Sequence, residues 1–170
     1  MGEPPHQVLV GRLSVGELMQ PAPYSVGEAE SVLLAWEVLE RSGQRHLPVV
    51  RADGCCAGLL DRAELAVACA APASALSRRT VGELTRGRRT VTVHGEEPVR
   101  RAAAAMWEGG TDALPVTDAH GHLVGLLTAR DVAAAVAGLP RREESAAPRS
   151  VRLPGLPPRP GRPDRGITIP

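Results

Sequence analysis

An internal repeat constrains this chain more than any other feature of its sequence. Three short words occur twice in the same order: Val-Gly-Glu-Leu at 15–18 and 81–84, Leu-Pro-Val at 47–49 and 114–116, and Gly-Leu-Leu at 58–60 and 125–127. The first word recurs after 66 residues and the other two after 67. Three words in one order at nearly one spacing indicate a duplicated structural unit.

The hydrophobic periodicity repeats at the same spacing. Apolar residues at helical intervals form two matching stripes: Val32, Ala35, Trp36 and Leu39 in the first copy, and Val99, Ala102, Ala103 and Met106 in the second. Each stripe predicts one amphipathic helix. After each helix the sequence predicts a hairpin of two strands (47–50 and 56–60, then 114–117 and 123–127) with Gly54 or Gly121 in the turn. A second helix follows, over 62–69 and 129–137.

These patterns divide the chain of 170 residues into five parts. We expect an N-terminal arm (1–12), a first unit (13–71), a linker (72–79), a second unit (80–139) and a C-terminal tail (140–170). Each unit is small for an independent core, so we expect the two to pack against each other. The tail holds 8 of the 16 prolines and has seven arginines against three acidic residues, which predicts disorder.

Charge and motif content exclude several classes of function. The net charge of +1 gives no overall attraction to nucleic acid or to an anionic membrane, so we expect neither as a partner. No apolar run approaches the length of about 20 residues that spans a bilayer, and the first residues do not resemble a signal peptide, so we expect a cytoplasmic protein. The three cysteines lack metal-ligand spacing, and no catalytic or phosphate-binding motif occurs. We therefore expect no enzyme activity, no metal and no required cofactor.

The repeated words resemble those of a tandem pair of CBS domains, the cystathionine-β-synthase type of regulatory module. In the first unit the resemblance is carried by Val-Gly-Glu-Leu-Met at 15–19 with Pro21, Gln-Arg-His-Leu-Pro-Val-Val at 44–50, Asp-Gly at 53–54 and Gly-Leu-Leu-Asp-Arg-Ala-Glu-Leu at 58–65. In the second unit it is carried by Val-Gly-Glu-Leu at 81–84, Thr-Val-Thr-Val at 90–93, Ala-Leu-Pro-Val at 113–116 and Gly-Leu-Leu-Thr-Ala-Arg-Asp-Val at 125–132. It implies an α+β fold in which two βαββα repeats pack sheet to sheet around a pseudo-twofold axis. It also implies two clefts between the repeats, which in this family bind adenosine-type ligands.

In the second unit, the resemblance places a nucleotide on the segment from Gly125 to Asp131. The carboxylate of Asp131 can accept hydrogen bonds from both ribose hydroxyls, and such charge-assisted bonds are strong. Thr128 can donate its hydroxyl to a phosphate at the positive start of the helix, where Arg130 adds a permanent charge. The resemblance places the adenine against Thr92, predicted on the first strand of this unit, and against the backbone near Ala113 and Pro115.

The same residues also form the pattern of a helix capping box, in which Thr128 and Asp131 exchange bonds with each other's backbone. Capping alone would explain both residues. In the first unit their equivalents are Asp61 and Glu64, which keep the capping pattern, but the charge of Asp61 would repel a phosphate. We therefore predict an asymmetric module. The first cleft, near which His46 lies, is predicted to be empty or to take an uncharged or cationic adenosyl compound.

Two functions are favoured at this point, and a third, nucleic-acid binding through the seven arginines of the tail, has little support. One is a regulatory module, expected to be a homodimer, in which an adenine nucleotide (AMP, ADP or ATP type) shifts the arrangement of the units and an unknown effector protein reads the change. The other is a degenerate pair that binds no ligand and acts as a dimerisation or docking scaffold, with Trp107 and the tail as contacts.

Overall fold

The computed structural model of the chain describes residues 12–70, 72–76 and 78–140. The predicted N-terminal arm, apart from Arg12, lies outside these ranges, and so does the predicted disordered tail from residue 141 onward. None of the helices formed by the described residues is both long enough and apolar enough to cross a membrane.

Both halves of the chain contain the predicted βαββα order. The first half forms α1 (Val15–Leu18), β1 (Gln20–Pro21), β2 (Val26–Gly27), α2 (Val32–Ser42), β3 (His46–Val50), β4 (Cys56–Asp61) and α3 (Arg62–Cys69). The second half forms α4 (Ala73–Leu76), α5 (Val81–Thr85), β5 (Val93–His94), α6 (Val99–Gly109), β6 (Ala113–Thr117), β7 (Leu123–Thr128) and α7 (Ala129–Val136). The α+β fold with two repeats is therefore confirmed.

The strands form two sheets, one for each unit, with matching registers. The first sheet has the order β2-β3-β4 and the second has the order β1-β7-β6-β5. Leu47 pairs with Leu60 in the first hairpin, and Leu114 pairs with Leu127 at the equivalent place in the second. Each hairpin has an irregularity in its register at the end of its first strand, and each turn contains a glycine with φ of 85°. The two hairpins thus share even their departures from regular geometry.

The predicted helical stripes form the two hydrophobic cores. In α2 the side chains of Val32, Ala35 and Leu39 are fully buried, and α6 buries the equivalent positions. Trp36, predicted as a core residue, is only partly buried and packs at the edge of the first core. The guanidinium carbon of Arg62 lies 5.5 Å from the centre of the Trp36 ring, so this edge also carries a cation–π contact.

The two units exchange their opening segments, which the sequence did not predict. Val15 of α1 lies in the core of the second unit, whereas Val81 of α5 lies in the core of the first. The glycine that follows each valine touches the backbone of the opposite unit: Gly16 N–H donates to the carbonyl of Gly95, and Gly82 N–H donates to that of Glu28, both at 2.8 Å. A side chain at either glycine would press on that carbonyl.

The segment predicted as a linker also contributes to the fold. Residues Ala73–Leu76 form the short helix α4, and the side chain of Leu76 is buried in the first core. The connection between the units is therefore partly helical and packed, because an apolar residue within it gains stability from burial.

Candidate ligand-binding clefts

The start of α7 is a complete capping box. The Thr128 N–H and the Thr128 hydroxyl both donate to Oδ2 of Asp131, at 2.8 and 2.6 Å. In return, the Asp131 N–H donates to the Thr128 hydroxyl oxygen at 3.3 Å. The structure thus confirms that Thr128 and Asp131 form a capping box. The box uses one of the two carboxylate oxygens of Asp131, Oδ2.

The other carboxylate oxygen of Asp131 remains available for a ligand. Within the described part of the chain, Oδ1 of Asp131 has no hydrogen-bond partner, and the residue is half-buried. Arg130 is exposed and forms no ion pair with any residue in the described ranges. The hydroxyl proton of Thr128 already points to Asp131, so this group can donate to a phosphate only after it rotates.

The sheet brings two of the three predicted adenine contacts to the start of α7. Ala113 pairs with Thr128 across the β6–β7 ladder, Pro115 pairs with Leu126, and both residues are buried. Thr92 was predicted on a strand, but β5 begins one residue later and Thr92 is exposed. Thr92 precedes Val93, which pairs with Val116, so Thr92 lies level with Pro115. Strand β6 lies between this position and β7, which ends at Thr128.

The first unit has the same capping box with different chemistry. Glu64 N–H donates to Oδ1 of Asp61 at 2.7 Å, and Asp61 N–H donates to Oε2 of Glu64 at 2.9 Å. The second oxygen of Glu64 is not free, since Oε1 lies 2.6 Å from Nη1 of Arg88. Arg88 follows α5 and therefore comes from the second half of the chain.

An open cavity of about 430 Å³ lies at this ion pair. Its lining combines one acidic, one basic and four apolar side chains: Glu64, Arg88, Leu60, Ala63, Val67 and Leu84. Sequence reasoning missed Arg88, because the exchange of opening segments brings it to the first cleft. The available signal was the group of three arginines, Arg86, Arg88 and Arg89, that begins two residues after the repeated word.

His46 faces the second unit, where it meets a partner that the sequence did not predict. Its Nε2 lies 2.6 Å from Oδ1 of Asp112, the residue before β6. The backbone of His46 pairs with that of Asp61, so the residue borders the first cleft while its imidazole is held by the opposite unit.

A second cavity, of about 540 Å³, lies between α6 and α7 on the helical face. Met106, Trp107, Asp112, Ala129 and Val132 contribute to its wall. Trp107 is 88 % exposed, although a tryptophan ring is one of the largest apolar groups in a protein.

No group of three or more His, Cys, Asp or Glu side chains in the described ranges could hold a metal ion. The three cysteines are each partly buried, and burial is the main cause that raises the pKa of every one of these thiols. The thiols therefore stay protonated near neutral pH.

The two pseudo-symmetric βαββα units, each with a capped helix after its hairpin, form a tandem pair of domains. The sequence profile of the CBS domain matches residues 15–71 and 81–138, and the chain therefore belongs to the CBS domain family as a pair of such domains.

Solved structures of similar CBS pairs contain adenosine compounds. The chain is 26 % identical to the CBS domain pair of protein MJ0100 in complex with 5′-methylthioadenosine and S-adenosyl-L-methionine, with a TM-score of 0.63 over 74 % of this chain and 96 % of that one. It is also 26 % identical to CBSX2 in complex with AMP, with a TM-score of 0.64 over 74 % of this chain and 97 % of that one.

The similar curated proteins are much longer than this chain. One is a homoserine O-acetyltransferase of Methanococcoides burtonii, 29 % identical over 119 residues, which are 70 % of this chain and 23 % of that protein. Another is an L-aspartate semialdehyde sulfurtransferase of Methanocaldococcus jannaschii, 26 % identical over 118 residues, which are 69 % of this chain and 22 % of that protein. The chain thus spans less than a quarter of these relatives.

Proposed function

We propose that this CBS pair is a regulatory module that binds an adenine nucleotide at the start of α7 and controls a partner protein. The observation that carries the proposal is the carboxylate of Asp131, which caps the helix with one oxygen and leaves the other without a partner among the described residues. The similar pairs that contain AMP, S-adenosylmethionine or methylthioadenosine support the same ligand class.

The chemistry of the site suits a ribose next to a phosphate. Ribose hydroxyls donate to Oδ1 of Asp131, and a phosphate lies beside Arg130 at the start of α7, where the helix dipole favours negative charge. Contacts from α1, the exchanged segment of the first half, reach both β7 and α7. A ligand at this place therefore favours one arrangement of the two halves over others, which is how binding becomes a signal.

The variant Thr128→Asp tests this proposal against capping alone. Aspartate keeps an acceptor for the Asp131 N–H but loses the hydroxyl that donates to Oδ2 of Asp131, so we expect a lower melting temperature in a variant that still folds. The added charge repels a phosphate, so we expect calorimetry to show AMP affinity reduced about tenfold or more, with adenosine affinity little changed. Asp131→Ala should weaken both ligands, because it removes the ribose acceptor.

If AMP, ADP, ATP, adenosine and S-adenosylmethionine give no saturable heat with the wild-type chain, the module does not sense these ligands. If AMP binds to the folded Thr128→Asp and Asp131→Ala variants as tightly as to the wild type, its site is not at the start of α7.

A scaffold function has its own support in the exposed ring of Trp107 beside the cavity between α6 and α7. We propose that this face forms a homodimer contact, because burial of a large apolar ring stabilises an interface. Sedimentation velocity of the wild type and of Trp107→Ser should then show a dimer that dissociates in the variant. Equal sedimentation coefficients at all concentrations would exclude this contact.

We propose no catalytic role for the chain itself. The acetyl and sulfur transfer named for the curated relatives belong to proteins of which this chain spans less than a quarter. A cytoplasmic location stays a prediction, and cell fractionation followed by immunoblotting would test it.

A further inference from the structure

The first cleft contains an ion pair for which the described residues show no counterpart in the second cleft. Arg88 and Glu64 meet at 2.6 Å, with 48 % and 33 % of their side chains exposed. Glu64 occupies the position equivalent to Asp131, the ribose acceptor of the second cleft. Its carboxylate is therefore occupied by Arg88 before any ligand arrives.

Arg88 supplies the positive charge of this cleft. Glu64 and Arg88 are the two charged residues in the wall of the cavity, and the rest of the wall is apolar. Arg62, the first residue of α3, is engaged elsewhere, since its guanidinium contacts Glu40 and the ring of Trp36. The Asp61 carboxylate, which would repel a phosphate, accepts the Glu64 N–H through Oδ1 and does not line this cavity.

We infer that Arg88 gates the first cleft and makes it selective for adenosine compounds that carry an anionic group. This inference rests on the proposed function, because it assigns an adenosine-type ligand to this module. When the ligand binds, the ion pair opens and each member takes a new partner. Glu64 accepts hydrogen bonds from the ribose hydroxyls, and the guanidinium of Arg88 binds the phosphate or carboxylate of the ligand. Arginine binds both kinds of anion through paired N–H groups.

A neutral adenosyl compound cannot make this exchange. It would separate Arg88 from Glu64 and leave the guanidinium without an anion, and loss of a charged hydrogen-bond partner is costly. Arg88 therefore changes the expectation drawn from Asp61 alone, which favoured uncharged or cationic ligands for this cleft.

Substitution of Arg88 should consequently change the affinities for two ligands in opposite directions. Arg88→Ala removes the contact to the anionic group, so AMP should bind about tenfold or more weakly. The same change frees the carboxylate of Glu64 for ribose hydroxyls, so adenosine should bind more tightly than it does to the unchanged cleft. A merely structural role of Arg88 would weaken both ligands together.

The test uses the full chain carrying Asp131→Ala, which leaves the first cleft as the site to be measured. Calorimetry with AMP and with adenosine is performed on this protein and after addition of Arg88→Ala, Glu64→Gln or Arg89→Ala. Arg89 is exposed and does not line the cavity, so Arg89→Ala removes the same charge without touching the cleft. Glu64→Gln keeps an oxygen for the capping box and should weaken AMP, since glutamine is a weaker ribose acceptor.

We expect one equivalent of AMP on the Asp131→Ala protein, weakened by Arg88→Ala and unaffected by Arg89→Ala, with the opposite effect of Arg88→Ala on adenosine. Equal losses of AMP affinity with Arg88→Ala and Arg89→Ala would overturn the inference, because the effect would then be one of net charge. Absence of binding to the Asp131→Ala protein while the wild type binds AMP would overturn it and leave the proposed function intact. Absence of binding to the wild type would overturn both.

Discussion

Nε2 of His46 lies 2.6 Å from Oδ1 of Asp112, and this contact joins the start of β3 in the first unit to the residue before β6 in the second. The two side chains have very different surroundings, since 8 % of the His46 side chain is exposed and 61 % of that of Asp112. A buried imidazole needs a partner for its polar nitrogen, and here the opposite unit provides it.

Removal of that partner should destabilise the fold. In Asp112→Ala the buried Nε2 of His46 loses its protein partner, and we expect the free energy of unfolding to fall by about 1–3 kcal/mol. Asp112→Asn keeps an acceptor oxygen at the same place and should lose less. Urea unfolding of the three proteins measures the difference, and equal midpoints for Asp112→Ala and the wild type would contradict this prediction.

Gly58 should tolerate no side chain, because α5 packs directly on it. A Cβ at this position would lie 2.9 Å from Cβ of Thr85 and closer still to its methyl group. We expect Gly58→Ala to destabilise the protein by about 1–3 kcal/mol, the usual cost of overpacking. Thermal unfolding would show this loss, and Thr85→Ser in the same chain should recover part of it by removing the methyl group.

A matched control for this substitution is Gly27→Ala. The nearest atom to a Cβ at Gly27 is Cγ of Glu30 at 3.6 Å, which is an ordinary contact. We therefore expect Gly27→Ala to change the melting temperature much less than Gly58→Ala. If the two substitutions cost the same, the close approach of Thr85 has no energetic consequence.

The capping box at α1 should make part of the stability depend on acid pH. Hydrogen bonds from the backbone N–H and the hydroxyl of Ser14 lower the pKa of Glu17 from its ordinary value of 4.5. A carboxyl whose pKa is lower in the folded than in the unfolded state stabilises the fold at a pH above its unfolded-state pKa. This contribution is lost as the pH falls through the folded-state pKa. Glu17→Gln should thus be less stable than the wild type at pH 7.

The difference between Glu17→Gln and the wild type should then narrow as the pH falls below 4.5, because the carboxyl becomes protonated in both states. Melting temperatures measured from pH 7 to pH 3 test this dependence. Glu37→Gln, at an exposed position of α2, is the control. A gap between Glu17→Gln and the wild type that stays constant over this range would show that the charge of Glu17 is not involved.

The cysteines should react slowly with alkylating reagents in the folded protein. Burial raises the pKa of Cys56, and burial together with the charge of Asp53 raises that of Cys55. Because the thiolate is the reactive form, a higher pKa leaves less of it at a given pH. Iodoacetamide labelling followed by peptide mass spectrometry should show slower modification at pH 7.5 in the native chain than in urea. Faster labelling of Cys55 in the native chain would contradict this expectation.

Local patterns in the sequence predicted most of the fold. The apolar stripes of α2 and α6 and the hairpins around Gly54 and Gly121 follow from residues that are close together along the chain. The pair Thr128 and Asp131 was predicted as a capping box for the same reason, since its members are three residues apart.

Contacts between the repeats could not be predicted in this way. A repeat shows only what the two units have in common. Asp112 occupies the position at which the first unit has Arg45, so the partner of His46 is not part of the repeated pattern. Arg88 reaches Glu64 because α5 packs on the first sheet, and no local pattern specifies that packing. In each case one unit supplies a single charged group to the other.

The exchange of opening segments also sets an order of events during synthesis on the ribosome. Strand β1 hydrogen-bonds to β7, so Gln20 leaves the exit tunnel long before its partner Leu126 has been translated. The first core has to wait for Val81 in the same way. Nascent α1 and β1 must therefore remain unpaired until β7 emerges, and the second core cannot close before Leu127 has been translated.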